Sequence, residues 1–204
     1  MPTSKQKDNS TFADKVRLRR AVLAACDRPP VVLETHGGWG RIYDRTWFKA
    51  EAGVVIEKAE KKAEALALQR PAWRVYEGDS LKSIRAGLAR DVRFDVVDLD
   101  PYGSPMDYLS ALALSAREWP DRWHLVVNDG LRQKCKLGGS WNVKALQQVV
   151  QRRGNDLYPV YLDVARELVA EFARTIGFEL SAWHGYYTGH LDSMTHYWAV
   201  LRRA

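Results

Sequence analysis

The chain repeats one pattern five times: a short apolar run, a turn that carries an acidic residue, and a segment whose apolar residues recur at helical spacing. Short buried runs that alternate with helices are typical of a parallel sheet with helices on both faces. A further helix is predicted before the first run. The runs begin at Val31, Gly53, Trp73, Phe94 and His124, and the leading helix is predicted from Phe12 to Cys26, before Pro29 and Pro30.

The C-terminal part departs from this repeat. A long amphipathic helix is predicted from Leu157 to Ile176, and two segments of strand composition follow, from Phe178 to Tyr187 and from Met194 to Leu201. They are separated by a short polar loop, which predicts an antiparallel hairpin. We therefore expect an α/β fold with a seven-stranded Rossmann-like sheet, mostly parallel with a C-terminal antiparallel hairpin and with helices on both faces. This hairpin favours the methyltransferase form of the sheet over that of dinucleotide oxidoreductases.

The length of 204 residues suits one domain. We expect residues 1–11 to form a mobile polar tail and residues 12–204 a single domain with a basic insertion at 131–156. There is no secretory signal and no apolar run long enough to span a bilayer, which predicts a cytoplasmic location and no membrane partner. Cys26 and Cys135 stand apart, without neighbours at metal-ligand spacing, so neither a disulfide framework nor a metal site is expected.

The positive charge of the chain is concentrated in one segment. There are 31 basic and 25 acidic residues, a net charge of +6, and the stretch from Leu131 to Arg153 holds six basic residues and no acidic one. Such a patch attracts phosphates, so nucleic acid is a candidate partner, although a solvated helix face is an equally simple interpretation. The predicted substrate-binding residues are Arg132, Lys134, Lys136, Trp141, Lys144, Arg152 and Arg153.

The turns that follow the strands are the candidate binding site, because ligands of such sheets bind beyond the carboxyl ends of the strands. The first turn contains Gly37, Gly38 and Gly40 after Glu34, which suits a cationic ligand with an amino-acid end, such as S-adenosylmethionine, better than a pyrophosphate. The second strand ends at Glu57, whose two carboxylate oxygens match the vicinal hydroxyls of a ribose. Capping of the next helix is the simpler alternative for Glu57.

Four other residues at the same edge complete the predicted cofactor-binding set. They are His36, Asp79, Ser80 and Asp98. A packed loop histidine is the simpler interpretation of His36, and a helix cap is the simpler interpretation of Asp79.

The most informative segment is Asp98-Leu99-Asp100-Pro101-Tyr102-Gly103-Ser104-Pro105. A carboxylate, a turn-fixing proline and an aromatic ring at a strand end can hold a planar group that carries an exocyclic amine. Asp100 accepts the amine hydrogens and Tyr102 stacks on the ring, which positions the amine nitrogen for attack on a methyl donor. Asp100, Pro101 and Tyr102 are therefore the predicted catalytic residues. A plain type I turn at Pro101 is the structural alternative.

This segment closely resembles the Asp-x-Asp-Pro-Phe-Gly-Ser-Pro motif of the tRNA guanine-N2 dimethyltransferase family of S-adenosylmethionine-dependent enzymes. The methyltransferase resemblance extends over residues 31 to about 130. It implies that Glu34 to Gly40 form the cofactor loop, that Glu57 binds the ribose and that Asp79 with Ser80 flanks the adenine. It also implies that Asp100 and Tyr102 contact the target base.

The leading hypothesis is an S-adenosylmethionine-dependent N-methyltransferase that acts on an exocyclic amine of a nucleic-acid base, with RNA, such as tRNA, ahead of DNA. A second hypothesis keeps the cofactor but makes the target a small molecule or a protein. A third is a non-catalytic nucleic-acid-binding or inhibitory protein on the same fold. The oligomeric state does not follow from the sequence.

Overall fold

The computed structural model describes residues 11–136, 143–154 and 156–204. Within them, seven strands form one sheet in the order β3-β2-β1-β4-β5-β7-β6. The strands are β1 Val31–Glu34, β2 Ala52–Glu57, β3 Trp73–Glu77, β4 Val96–Leu99, β5 Arg122–Asp129, β6 Phe178–Thr188 and β7 Met194–Arg203. The α-helices are α1 Phe12–Ala24, α2 Glu60–Gln69, α3 Ser80–Arg85, α4 Pro105–Leu114, α5 Leu131–Lys136, α6 Lys144–Arg153 and α7 Tyr161–Thr175.

The strand pairing confirms the predicted fold class. Strands β3, β2, β1, β4 and β5 are paired in parallel, whereas β7 runs antiparallel to both β5 and β6. Every parallel strand therefore ends at the same edge of the sheet, which we call the carboxyl edge. The turns that the sequence singles out follow β1 to β5 and so lie along this edge.

Several element boundaries differ from the prediction. The apolar pattern after β4 predicts a helix as far as Trp119, but the helix ends at Leu114. There the Ser115 hydroxyl bonds the Leu112 carbonyl and Ala116 adopts a φ of 46°, so local polar and backbone geometry replaces the helical pattern. The basic segment contains two helices, α5 and α6, on either side of residues 137–142.

The sheet is covered on both faces. One face packs against α4 and α7 through residues such as Leu109 and Val169. The other packs against α1 and α2 through Leu18 and Leu66, together with Trp47 from the β1–β2 connection. Because the central strands are covered on both sides, their sequences are almost continuously apolar rather than alternating. In the parts of the chain that the structure describes, no helix is long and apolar enough to cross a membrane.

Helix α1 is joined to the centre of the sheet by a buried ion pair. The Arg19 side chain and the Asp98 carboxylate at the end of β4 are each 1% exposed, and Arg19 Nε lies 2.6 Å from Asp98 Oδ2. Trp47 Nε1 donates to the same oxygen at 2.8 Å. One carboxylate thus holds α1, β4 and the β1–β2 connection together.

We predict that Arg19→Met destabilises the fold by about 3–5 kcal/mol, because it leaves the Asp98 charge buried without its cation. The measurement is urea unfolding followed by circular dichroism. Arg28→Met is the matched control, since the Arg28–Glu51 pair is exposed and such pairs contribute about 0–1 kcal/mol. Equal midpoints for the two variants would contradict this assignment.

Candidate active site at the carboxyl edge

Four acidic side chains share one face of the sheet at the carboxyl edge. Glu34 pairs in register with both Val55 of β2 and Asp98 of β4. Since side chains alternate along a strand, Glu34, Glu57 and Asp98 all point to the face covered by α1, and Asp100 follows two residues after Asp98. The structure thus brings together the acids that the sequence places at one edge.

The glycine turn after β1 combines close packing with an open side. A Cβ on Gly37 would lie 2.5 Å from Leu66, so this glycine lets the turn pass against α2. Gly38 has a φ of 56° and a Cβ there would meet no described atom within 4 Å. Gly40 also has positive φ, at 77°. A ligand can therefore approach the backbone at Gly38 without a side chain in the way.

Glu57 links this turn to the start of the next helix. Its Oε2 accepts from the Gly38 N–H at 2.8 Å and its Oε1 accepts from the Ala59 N–H at 2.9 Å. Glu57 thus holds the backbone of Ala59, the residue before α2, but this bond is not an N-cap bond to the first turn of the helix. A carboxylate has about four acceptor positions, so two backbone bonds leave capacity for further donors such as hydroxyl groups.

Glu34 lies in a buried ion pair rather than at the surface. Its side chain is 5% exposed and is paired with Arg70, whose guanidinium lies over the rings of Tyr43 and Trp73. Burial raises the pKa of Glu34 to about 7, although the charge of Arg70 opposes this shift. The carboxylate therefore faces the protein interior, and the predicted contact between Glu34 and a cofactor stays a prediction.

The other predicted cofactor residues lie beside the glycine turn. His36 contacts the Thr35 hydroxyl through Nδ1 and the Tyr108 hydroxyl through Nε2, at 2.8 and 3.1 Å. Burial lowers the pKa of His36, which favours the neutral ring. The Ser80 hydroxyl donates to the Thr35 carbonyl. Asp79 begins α3 by accepting from the Lys82 N–H, the capping role that is the simpler interpretation of its sequence.

Asp100 is engaged by a lysine from α1. Lys15 Nζ donates to both carboxylate oxygens, at 2.8 and 2.7 Å, and the two side chains are 17% and 26% exposed. Desolvation raises the pKa of Asp100, but attraction to Lys15 and Arg19 outweighs it and holds the pKa below its usual value. Asp100 is therefore ionised, and both of its carboxylate oxygens can accept hydrogen bonds from a nitrogen donor, as they do from Lys15.

The residues after Asp100 form a turn and a helix start. Ser104 caps α4 by accepting from the Met106 N–H at 3.2 Å, and Pro105 occupies the first helical turn, where its missing N–H costs nothing. This explains the Ser-Pro part of the motif by local structure alone. The Tyr102 side chain is 90% exposed at the turn, close to Asp100 in sequence. Pro101 is half-buried between them.

The basic segment divides into buried, paired and exposed cations. Arg132 is 6% exposed and lies between the rings of Tyr158 and Tyr187, at 3.8 and 3.7 Å from their centres. Arg152 and Arg153 both pair with Glu167 of α7. The exposed lysines are Lys134, Lys136 and Lys144. Trp141 lies outside the described residues, as does the tail at 1–10.

Sequence reasoning assigns no role to three polar residues that surround Asp100. Lys15 belongs to a charge cluster without an assigned function, Asn128 is placed with Asp129 at the carboxyl edge but given no role, and His196 is predicted only as a member of a strand. The signal that points to them is register: Asn128 pairs with His196 at the carboxyl end of β5. Within the described residues, no group of three metal-ligating side chains has metal-site geometry.

Comparison with known proteins finds methyltransferases of similar sequence and fold. No protein-family model matches the chain. Over 163 residues it is 28% identical to the tRNA (guanine(26)-N(2))-dimethyltransferase of Thermoplasma volcanium, which covers 76% of this chain and 46% of that protein. The structure of Trm1 from Pyrococcus horikoshii with S-adenosyl-L-methionine covers 100% of this chain and 59% of its own, with a TM-score of 0.63 and 18% identity. M. jannaschii TYW2 in complex with AdoMet gives a TM-score of 0.56 at 13% identity, over 96% of this chain and 77% of its own.

The chain has the class I methyltransferase fold. The sequence similarity to the tRNA dimethyltransferase also confirms the resemblance that the segment 98–105 indicates. The chain spans about half the length of that curated relative, 46%.

We predict that Arg132→Ala lowers stability by about 2 kcal/mol, because it removes a desolvated cation from between two aromatic rings. Arg132 also donates to the Tyr158 carbonyl and to the Asp192 carbonyl, so its removal leaves acceptors without their donor. Chemical denaturation measures the change. Lys134→Ala, an exposed neighbour on α5, is expected to stay within about 0.5 kcal/mol of the wild type. An Arg132→Ala protein as stable as the control would refute the packing role.

Proposed function

We propose that the chain is an S-adenosylmethionine-dependent N-methyltransferase that acts on an exocyclic amine of a nucleic-acid base, with RNA preferred. The observation that carries this is the placement of Asp100, Pro101 and Tyr102 directly after β4 of a class I methyltransferase sheet, with an ionised carboxylate beside an exposed aromatic ring. The similarity to a tRNA dimethyltransferase supports the choice of target.

The glycine turn and the acids of β1 to β3 suit the methyl donor. Gly38 leaves room for a ligand against the backbone, and Glu57 holds that turn while it keeps spare acceptor capacity. Asp79, whose side chain is 36% exposed, lies after β3 on the same edge. We assign the ribose hydroxyls to Glu57 and the adenine to Asp79 with Ser80. When bound, S-adenosylmethionine supplies an electrophilic methyl group from its sulfonium.

Asp100 and Tyr102 then act on the target. The Asp100 carboxylate accepts hydrogens of the exocyclic amine and fixes the direction of the nitrogen lone pair, and the Tyr102 ring provides a stacking surface for the heterocycle. As the amine nitrogen gains positive charge, the nearby carboxylate stabilises that charge. A base within a helix has to be turned out of the stack to reach this pocket.

Among the described residues, two groups of exposed cations are candidates for phosphate contacts. One consists of Lys134, Lys136 and Lys144 of the basic segment. The other is a cleft at α1, lined by Arg17, Arg20 and Arg45. The α1 cleft is the stronger candidate near the site, because Lys15 of the same helix contacts Asp100. Lysines and arginines that attract phosphates supply affinity without sequence preference.

The second candidate function is methylation of a small molecule or a protein. The engagement of Arg132 with tyrosine rings and of Arg152 and Arg153 with Glu167 favours it, because these cations of the basic segment already have partners. Under this alternative, the chain does not bind RNA or DNA at low salt.

We predict that Asp100→Ala lowers methyl transfer by about 100-fold or more, since the amine loses its charged acceptor. The dissociation constant for S-adenosylmethionine is expected to stay within a few-fold of the wild type. Transfer of labelled methyl groups to bulk RNA and DNA measures the first quantity, and calorimetry measures the second. Asp107→Ala, an exposed acid in the first turn of α4, is the matched control and leaves both unchanged. Equal loss of transfer and of cofactor binding in Asp100→Ala would reject the assigned role.

Unlike Asp100→Ala, Glu57→Ala is expected mainly to weaken cofactor binding. Its carboxylate holds Gly38 and offers acceptors to the ribose, so we expect the dissociation constant to rise about tenfold, the equivalent of about 1.4 kcal/mol. Calorimetry with S-adenosylmethionine and with its demethylated product is the measurement, and a thermal melt checks the fold. Unchanged affinity in a folded Glu57→Ala protein would remove Glu57 from the cofactor site.

Nucleic-acid binding is expected to weaken with salt, and the slope reports which basic surface takes part. Neutralising Arg20 and Arg45 should flatten the dependence of log affinity on log salt by about one unit for each cation that touches a phosphate. Neutralising Lys134 and Lys136 tests the other surface in the same assay. If the wild-type chain binds neither RNA nor DNA at low salt, the nucleic-acid target is rejected in favour of the second candidate function.

A further inference from the structure

Four polar side chains lie in one line across the carboxyl edge: Asp100 and three residues of β5, β7 and β6. Asn128 of β5 pairs with His196 of β7, and His196 pairs with Tyr186 of β6. Asp100 follows β4, the other neighbour of β5, and extends this line. All four point to the face covered by α1. We call Asp100, Asn128, His196 and Tyr186 the polar row.

The two central members of the polar row are buried and have hydrogen-bonding groups that the described chain does not satisfy. Asn128 is 1% exposed and His196 is 0% exposed. Considering only the described chain, neither amide atom of Asn128 and neither ring nitrogen of His196 makes a hydrogen bond of normal geometry. A hydrogen bond from the Asn128 amide to Asp100, outside normal geometry, nevertheless helps to lower the pKa of that carboxyl, and the amide oxygen is left without a partner among the described residues.

Buried polar groups in proteins nearly always have partners, and an orphaned one costs stability. Here two such groups lie side by side, next to a candidate catalytic carboxylate. Their position indicates a place for a bound polar group.

The chemical character of the row fits a heterocycle edge. An Asn amide offers both an acceptor and two donors. Burial lowers the pKa of His196 to about 3, and the nearby charges of Arg19 and Lys15 add to this shift, so its ring is neutral and offers one donor and one acceptor. Asp100 offers only acceptors. A planar base carries an amine beside ring nitrogens and carbonyl oxygens, which is the complementary pattern.

Lys15 covers the Asp100 end of the row. Its ammonium donates to both oxygens of Asp100 and so occupies the place of a target amine. The first turn of α1 is held over the row because the Tyr186 hydroxyl donates to the Asp14 carbonyl at 3.0 Å and Thr188 bonds the Asp14 carboxylate. The lysine side chain is long and flexible, so its ammonium can move into solvent. Because Asn128 and His196 are 1% and 0% exposed, a base edge reaches them only when the first turn of α1 moves away as well.

We propose that Asp100, Asn128 and His196 form the subsite for the hydrogen-bonding edge of the target base, and that Lys15 occupies the amine position until the base replaces it. This inference rests on the proposed function and specifies its acceptor pocket. The base amine takes over the bonds that Lys15 makes to Asp100, and the neighbouring ring atoms of the base satisfy Asn128 and His196. Asn128 and His196 are thereby residues that determine which base edge is accepted.

The decisive variant is Asn128→Leu, which replaces the buried amide by an apolar side chain of similar shape. The amide oxygen has no partner in the described chain and Asp100 keeps both bonds from Lys15, so we expect the melting temperature to change little. We expect kcat/KM for the methylated RNA or DNA to fall at least tenfold, with the dissociation constant for S-adenosylmethionine unchanged within twofold. A wild-type value of kcat/KM in this variant would overturn the subsite.

His124→Leu is the matched control. His124 is also a buried polar position of β5, but its Nδ1 accepts from Trp198 Nε1 at 2.9 Å and it lies at the other end of the strand. We expect this variant to melt at a lower temperature while its kcat/KM is retained. A purely structural role for Asn128 predicts the same behaviour for both variants.

Lys15→Met tests the covering role. Without the competing ammonium, the KM for the nucleic acid should fall at least threefold while kcat is maintained. A rise in KM or a loss of kcat would show that Lys15 assists the reaction and would overturn its assignment as the group that the base replaces.

A binding measurement separates failure of the subsite from failure of the proposed function. Adenosine, guanosine and cytidine monophosphates are titrated into the wild-type chain, and the NMR signals of the His196 ring are followed. Shifts with one of them that disappear in Asn128→Leu support the subsite, even if no methyl transfer to RNA or DNA is found and the proposed function fails. No shift with any of the three overturns the subsite, even if methyl transfer is observed.

Discussion

The buried ion pair between Arg19 and Asp98 is the constraint on which the candidate site depends. Two charges with 1% exposure are tolerated only because they satisfy each other and because Trp47 supplies a further donor. The pair fixes one turn of α1 directly over the end of β4. Because Lys15 lies one helical turn before Arg19, the same contact places its ammonium at Asp100. The Arg19–Asp98 pair therefore both stabilises the fold and positions Lys15 at the candidate catalytic carboxylate.

The acids at the carboxyl edge serve different purposes, although the sequence presents them alike. Glu34 and Asp98 are buried and paired with arginines, so they hold elements together. Glu57 fixes the glycine turn through backbone N–H groups, and Asp79 caps a helix. Among these five, Asp79 and Asp100 are both partly exposed and paired with a lysine, but Lys58 lies 3.6 Å from Asp79 Oδ2, whereas Lys15 donates to both carboxylate oxygens of Asp100 at 2.8 and 2.7 Å. The acids at the strand ends thus include structural residues and candidate catalytic residues, and the extent of burial distinguishes the two groups.

The sequence predicts the architecture well because the strand runs, the turn residues and the C-terminal hairpin are local signals. It also predicts that the acids share an edge, since parallel strands end together. It does not predict their partners, because Arg70 lies 36 residues from Glu34 and Arg19 lies 79 residues from Asp98. Contacts at such separations follow from the packing of α1 and α2 on the sheet. The position of Asn128 beside His196 requires the register of β5 against β7, which composition does not encode.

The partners of the cations, like those of the acids, come from distant parts of the chain. A segment with six basic residues and no acidic one suggests a phosphate-binding surface, yet charge counted along the chain ignores partners supplied by distant elements. Glu167 of α7 pairs with Arg152 and Arg153, and two tyrosine rings enclose Arg132.

By contrast, the cations of α1 look balanced by nearby acids in the sequence. Arg17 does pair with Asp14, but Lys15 and Arg19 face the sheet and engage the distant acids Asp100 and Asp98. Arg20 is exposed and, with Arg17 and Arg45, lines a cleft at this helix. The helix whose inner face covers the polar row thus also carries the exposed cations that the proposed nucleic-acid target would contact.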